Sequence, residues 1–190
     1  MQFVFGGDVN FDGNVWFNDS YWDDMSMPIG VSGKSGSKPP VFSETTFAYG
    51  YEDQAVALNE QYTFSASELP HGWKLGTNLH CHIHAHPSTT NVGDYNFELC
   101  YNWTNIGSIE AAANTCTNLI QRTDGNANKI YYSEFPSLNG SGKTLSSTIE
   151  FRLKRLSAST TDTFTGIVYV DSLGCHYEAD AIGSRQELAK

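Results

Sequence analysis

The sequence predicts an all-β fold, an antiparallel β-sandwich that is jelly-roll-like, with an extended N-terminal segment. Three observations predict it. Only 17% of residues are charged while 13% are aromatic, a balance that favours strands over helices. Short apolar runs alternate with Gly-, Pro- and Asn-marked turns, the spacing expected of a sandwich. The third is Leu79 to Pro87, which reads Leu-His-Cys-His-Ile-His-Ala-His-Pro. Strand side chains point to opposite faces with period two. Leu79, Cys81, Ile83 and Ala85 are therefore expected to face a core, and His80, His82, His84 and His86 to face the other way. A helix would scatter the same imidazoles around its surface.

At 190 residues the chain is expected to form one main domain, residues 41–190, preceded by an N-terminal hairpin and extended arm over residues 1–40. The net charge of −10 argues against nucleic-acid binding by phosphate neutralisation. No run of 18 apolar residues suggests a membrane span. The opening Met-Gln-Phe-Val-Phe-Gly-Gly-Asp lacks the basic start and apolar stretch of a signal peptide, so synthesis without export is expected. In that setting Cys81, Cys100, Cys116 and Cys175 are expected as reduced, buried small hydrophobes, with one disulfide formed after release from a cell as the alternative.

In chain order, Phe3 to Trp16 has the pattern of a hairpin with Asp12-Gly13 at its turn. The same stretch offers Asp8, Asn10, Asp12, Asn14 and Asp19 at calcium-loop spacing. No amphipathic helix flanks it and no second copy follows, so the turn is favoured over calcium. Residues 28–40, rich in Gly, Pro and Ser, are expected to be loop or arm. Strand-like runs follow at Thr45–Tyr51 and Gln61–Ser65, then a connection through Leu69-Pro70-His71-Gly72-Trp73-Lys74 into the histidine strand.

Ser88 to Asp94 is turn chemistry. Beyond it Tyr95, Phe97, Leu99, Tyr101 and Trp103 alternate on one face, an aromatic strand expected to pair antiparallel with the histidine strand. Ile109–Leu119, containing Glu-Ala-Ala-Ala, is the one helical candidate. Further strands are expected at Lys129–Phe135, Ser147–Ser157 and Gly166–Val170, with another beginning at Cys175.

Three pieces in this order carry a resemblance. They are Trp22-Asp23-Asp24; then Pro70-His71-Gly72-Trp73-Lys74 leading to Leu79-His80-Cys81-His82-Ile83-His84; then Gly183-Ser184-Arg185-Gln186. Together they resemble a family of small bacteriophage virion structural proteins, over nearly the whole chain. Cys81 stands where that family usually has proline, and Ala85-His86 replaces its usual tryptophan. The resemblance implies a head-decoration, fibre or tail-associated component of the virion. It further implies a homotrimer that docks on other virion proteins and performs no enzymatic reaction.

Neutral imidazole is a good ligand for zinc or iron, and histidines at i and i+2 lie about 6.6–7 Å apart along a strand. His80, His82, His84 and His86 are therefore metal-ligand candidates. Near a three-fold axis His82 and His84 would recur as a ring. The structural alternative is that the rings pack on aromatics or bond to carboxylates, and a third is charging near pH 6 that loosens an interface. A metal-dependent cupin-type enzyme would need a carboxylate and a distant histidine, for which Glu98 and His176 are available. No GxSxG, HExxH or Walker pattern accompanies them. Trp73 is the candidate platform for a host-surface glycan, with loop anchoring as its structural alternative.

Overall fold

The computed structural model describes residues 16–30, 33–36, 39–53, 61–110 and 114–184. Among the described residues, eleven strands form two packed antiparallel sheets. The first contains β1 (Trp16–Pro28), β3 (Val41–Ser43), β4 (Ala48–Tyr51), β6 (His80–Pro87), β9 (Tyr131–Glu134) and β11 (Val168–Ala181). The second contains β2 (Gly33–Ser35), β5 (Tyr62–Glu68), β7 (Asp94–Thr104), β8 (Thr115–Arg122) and β10 (Thr148–Arg155). Among β4 to β11 the orders are 4-11-6-9 and 5-10-7-8, with successive strands crossing between the sheets except at the β7–β8 hairpin. That is the jelly-roll arrangement of a β-sandwich.

The core lies between the sheets. From β6 and the residue just before it, the core takes Leu79, Cys81, Ile83 and Ala85, all fully buried as period two requires. From β7 come Tyr95, Phe97, Leu99 and Trp103, and from β10 Ile149, Phe151 and Leu153. Trp103 keeps its indole N–H satisfied by donating to Ser147 Oγ at 2.8 Å.

Several expectations are corrected. β7 does not pair with β6: it lies in the opposite sheet between β10 and β8. Residues 88–93 form a corner between sheets, with Asn91 Nδ2 donating to Thr165 O at 2.9 Å. Gly93 fits against the backbone there, since a Cβ would stand 2.8 Å from Phe164 Cα. Two strands with one apolar face each are here covered face to face across the sandwich. The helical candidate at 109–119 contributes strand β8 instead, because pairing along β7 overrides local propensity. The two pieces expected after Gly166 are one strand, β11, irregular between Val170 and Ser172. Within the N-terminal segment, Trp16–Pro28 is β1 on the edge of β11 and Gly33–Ser35 pairs with β5; the Phe3–Trp16 hairpin turn lies outside the described residues.

The cysteines are not reduced. Cys81–Cys175 joins directly opposed residues of β6 and β11, and Cys100–Cys116 joins opposed residues of β7 and β8. Spacing along the chain does not reveal which residues face one another across a sheet.

One charged side chain occupies a core position. Arg155 continues the inward face of β10 and is fully buried, yet each part of its guanidinium is bonded. Nε and Nη2 donate to the two oxygens of Asp162, each at 2.8 Å; Nη1 donates to Tyr51 O and Gly166 O, and Nη2 also to Phe164 O. The fork geometry satisfies the charge and ties β4, β10 and the lead-in to β11. Asp162→Ala leaves that charge buried without its partner and is expected to lower the unfolding free energy by about 3–5 kcal/mol in denaturant titration. The disulfides close loops of very different length, with separations of 94 and 16 residues. Removing Cys81–Cys175 is expected to cost about 4–5 kcal/mol and removing Cys100–Cys116 about 3, read from the same titrations on Cys→Ala double variants.

Candidate functional site

β6 runs between β11 and β9, so its outward histidines are met by side chains from both neighbours and from β1 beyond β11. The four imidazoles share a face but do not form one group. His80 Nδ1 lies 3.3 Å from Glu134 Oε1, with its ring edge-on to Trp22. At the other end His86 Nδ1 lies 3.1 Å from Asp171 Oδ2 and its ring stacks on Tyr169. His82 and His84 are left in the middle, ring centroids 5.2 Å apart.

Register brings two further strands to His82. Its partner on β11 is Gly174, and His176 two residues on is paired with Asp24 of β1. Without a side chain at 174 the His82 ring can lie across β11. A Cβ there would stand 2.9 Å from His82 Cε1 and Nε2 and 3.2 Å from Asp24 Oδ1. His82 stacks on His176 at 4.6 Å and contacts Tyr132 of β9 at 4.6 Å. One ligand atom each from Asp24, His82 and His176 lies within 4.8 Å of the other two.

The electrostatics favour a neutral His82 ring. Burial is the main cause that holds the His82 pKa below the usual histidine value; the nearby His176 adds to it, and Asp24 opposes. His82 is only 3% exposed, and its Nδ1 has no hydrogen-bond partner. The Tyr132 hydroxyl donates to Glu134 Oε2 at 3.0 Å and lies 3.4 Å from His176 Nδ1. Burial and the Glu134 carboxylate push the Tyr132 phenol up to about 12, so it keeps its proton for Glu134. The phenol oxygen is then free to accept from His176 Nδ1. Two imidazoles and a carboxylate form a set that suits borderline divalent metals.

The other sequence candidates are placed elsewhere. Glu98 is on β7 in the opposite sheet, 3.6 Å from Arg152, so it cannot join His82; Asp24 supplies the carboxylate instead. Glu98 does approach Cys100 and Cys116, but those sulfurs are bonded to each other and offer no thiolate. His71 bridges Ser184 Oγ and Ser146 Oγ at 2.7 and 2.9 Å. Asp8, Asn10, Asp12 and Asn14 of the calcium pattern lie outside the described residues, and Asp19 is exposed on β1. Trp73 is fully buried against Trp103, so it offers no face to a glycan. Sequence reasoning missed Asp24 as a partner of the histidines. Its only signal was a Trp-Asp-Asp triplet more than fifty residues upstream.

The second sheet carries an open groove of about 420 Å³ on its outer face, lined in part by Tyr62, Phe64, Asn102, Glu150 and Arg152. The Arg152 guanidinium and the Lys154 ammonium both lie over the Tyr62 ring, at 5.2 and 5.4 Å.

No protein-family model matches the chain, and no curated relative matches it. Among solved structures it is similar to a crystal structure of dimeric latent PorU from Porphyromonas gingivalis, with a TM-score of 0.37 and 14% identity. The match covers 93% of this chain, which spans 14% of the length of that one.

The burial of Trp73 makes its substitution a test of anchoring. Trp73→Ala is expected to cost about 3–5 kcal/mol of stability by thermal or denaturant unfolding, the range for emptying a large aromatic site.

Proposed function

We propose that the chain is a bacteriophage virion structural protein, a head-decoration, fibre or tail-associated component that works by homotrimer assembly and docking on other virion proteins. The observation that carries this reading is the hairpin at one edge of the first sheet. β3 is an edge strand, and the β3–β4 hairpin exposes Val41, Phe42 and Phe47, the last at 79%. Three large apolar side chains within seven residues of a single hairpin form a concentrated surface rather than a scatter, and such surfaces mark contact sites. Among the described residues β3 has no second neighbour, and its outer edge adds main-chain donors and acceptors for a partner. The ordered motifs from Trp22 to Gln186 point to the same class, and the net charge of −10 suits docking on basic partner surfaces.

Native mass spectrometry at micromolar concentration is expected to show a trimer, and the protein is expected to co-purify with assembled particles. The triple substitution Val41→Ser, Phe42→Ser, Phe47→Ser is expected to leave the circular dichroism spectrum intact while lowering incorporation at least ~10-fold, the loss of about 1.4 kcal/mol or more of contact energy. A monomer that stays out of particles would count against the proposal.

A further inference from the structure

We propose that Asp24, His82 and His176 of a single chain bind one divalent transition ion, of the class represented by zinc or ferrous iron, and that this ion clamps β1 to the sandwich. The inference does not depend on the virion reading.

The three donors come from three strands, β1, β6 and β11, and register brings them together. β1 and β6 do not touch as neighbours; they flank β11 on opposite edges. An ion bound by Asp24 and His82 therefore spans the strand between them, while His176 supplies a ligand from that strand itself. In a tetrahedral site with bonds of 2.0–2.1 Å, ligand atoms stand about 3.3 Å apart. All three ligand atoms lie within 4.8 Å of one another, and binding would draw the exposed Asp24 carboxylate and the two rings toward a common point.

Four features indicate a built site. His82 is 3% exposed, and the edge of its ring that carries Cε1 and Nε2 lies over Gly174 beside the Asp24 carboxylate, so Nε2 is the nitrogen offered to an ion. Gly174 leaves the space that the His82 ring and the Asp24 carboxylate share. The Tyr132 hydroxyl, which donates to Glu134, lies 3.4 Å from His176 Nδ1 and helps orient the ring, the arrangement by which ligating histidines are commonly held. Finally, His80 and His86 have carboxylate partners of their own, which separates them from the central group. With three protein donors, water would complete the coordination from the solvent side, where Asp24 and Tyr132 are exposed.

The consequence is local. β1 joins the first sheet through its pairing with β11. A ligand that binds the folded chain and not the unfolded one stabilises it in proportion to the logarithm of free ligand over Kd. Here that stabilisation would fall on β1 first.

The test uses the full chain, freed of metal with a chelator, then titrated with zinc. Calorimetry is expected to show one zinc per chain, the melting temperature is expected to rise with zinc, and hydrogen exchange of the β1 amides is expected to slow. Asp24→Asn and His176→Gln, both outside the apolar core, are each expected to weaken zinc binding at least ~10-fold. Gly174→Ala is expected to do the same by displacing the His82 ring, while His80→Gln and His86→Gln are expected to bind as the parent does. His82→Ala is left out of the decisive set because its buried position bears on folding. Binding unchanged in Asp24→Asn and His176→Gln would overturn the proposal. So would loss of binding in His86→Gln, a stoichiometry of one zinc per three chains, or no zinc binding at millimolar concentration.

Discussion

Period two along β6 is the constraint on which both the fold and the candidate site depend. Every second residue must fill the core, and Leu79, Cys81, Ile83 and Ala85 do so without exposure. A slip of one residue would turn four imidazoles into the core and four apolar side chains outward, so the register is strongly specified. The Cys81–Cys175 bond reinforces it from the inner face, because the cysteines are opposed across β6 and β11. Once Cys81 is fixed against Cys175, His82 is fixed against Gly174 and His80 against His176. The position of the outer-face cluster is thus set by packing on the other side of the same sheet.

A second constraint holds the two sheets at one end. Arg155 sits where an apolar residue would continue the β10 pattern, and its burial is tolerable only because Asp162 and three carbonyls receive its protons. The bonds to Tyr51 and Gly166 reach the end of β4 and the approach to β11. Those contacts help place the start of β11 against β4, and β11 is the strand on which His176 and Gly174 lie. A polar network remote from the histidines is therefore part of what positions them.

What could be read from the sequence divides along one physical line. Patterns within a strand were legible: the alternation in β6 and the aromatic face of β7 both follow from side-chain direction. Pairings between distant segments were not. The β6–β7 partnership failed because periodicity says which face is apolar and not which sheet the strand joins. The cysteines looked isolated because their opposition exists only across a sheet. β11 was expected as two pieces, whereas it runs through Gly174, where the missing side chain admits the His82 ring. His176 was noticed only as a distant histidine, and Asp24 was not connected to the site. Both become neighbours of His82 only when β1 and β6 line the two edges of β11.

That same strand separates the two surfaces to which function is ascribed. Along one edge, β11 pairs with β4 at Val168–Val170 and with β1 from Ser172 onward. The exposed β3–β4 hairpin is thus attached near the beginning of β11, and the Asp24–His82–His176 group lies at Gly174 to His176. At 3.2–3.4 Å per residue, four to six positions separate them by about 13–20 Å along the strand. The hairpin residues Val41, Phe42 and Phe47 and the cluster residues Asp24, His82 and His176 are not shared. A contact surface and an ion-binding group can therefore coexist on one sheet without competing for residues, and their contributions to assembly and to stability are separable by mutation.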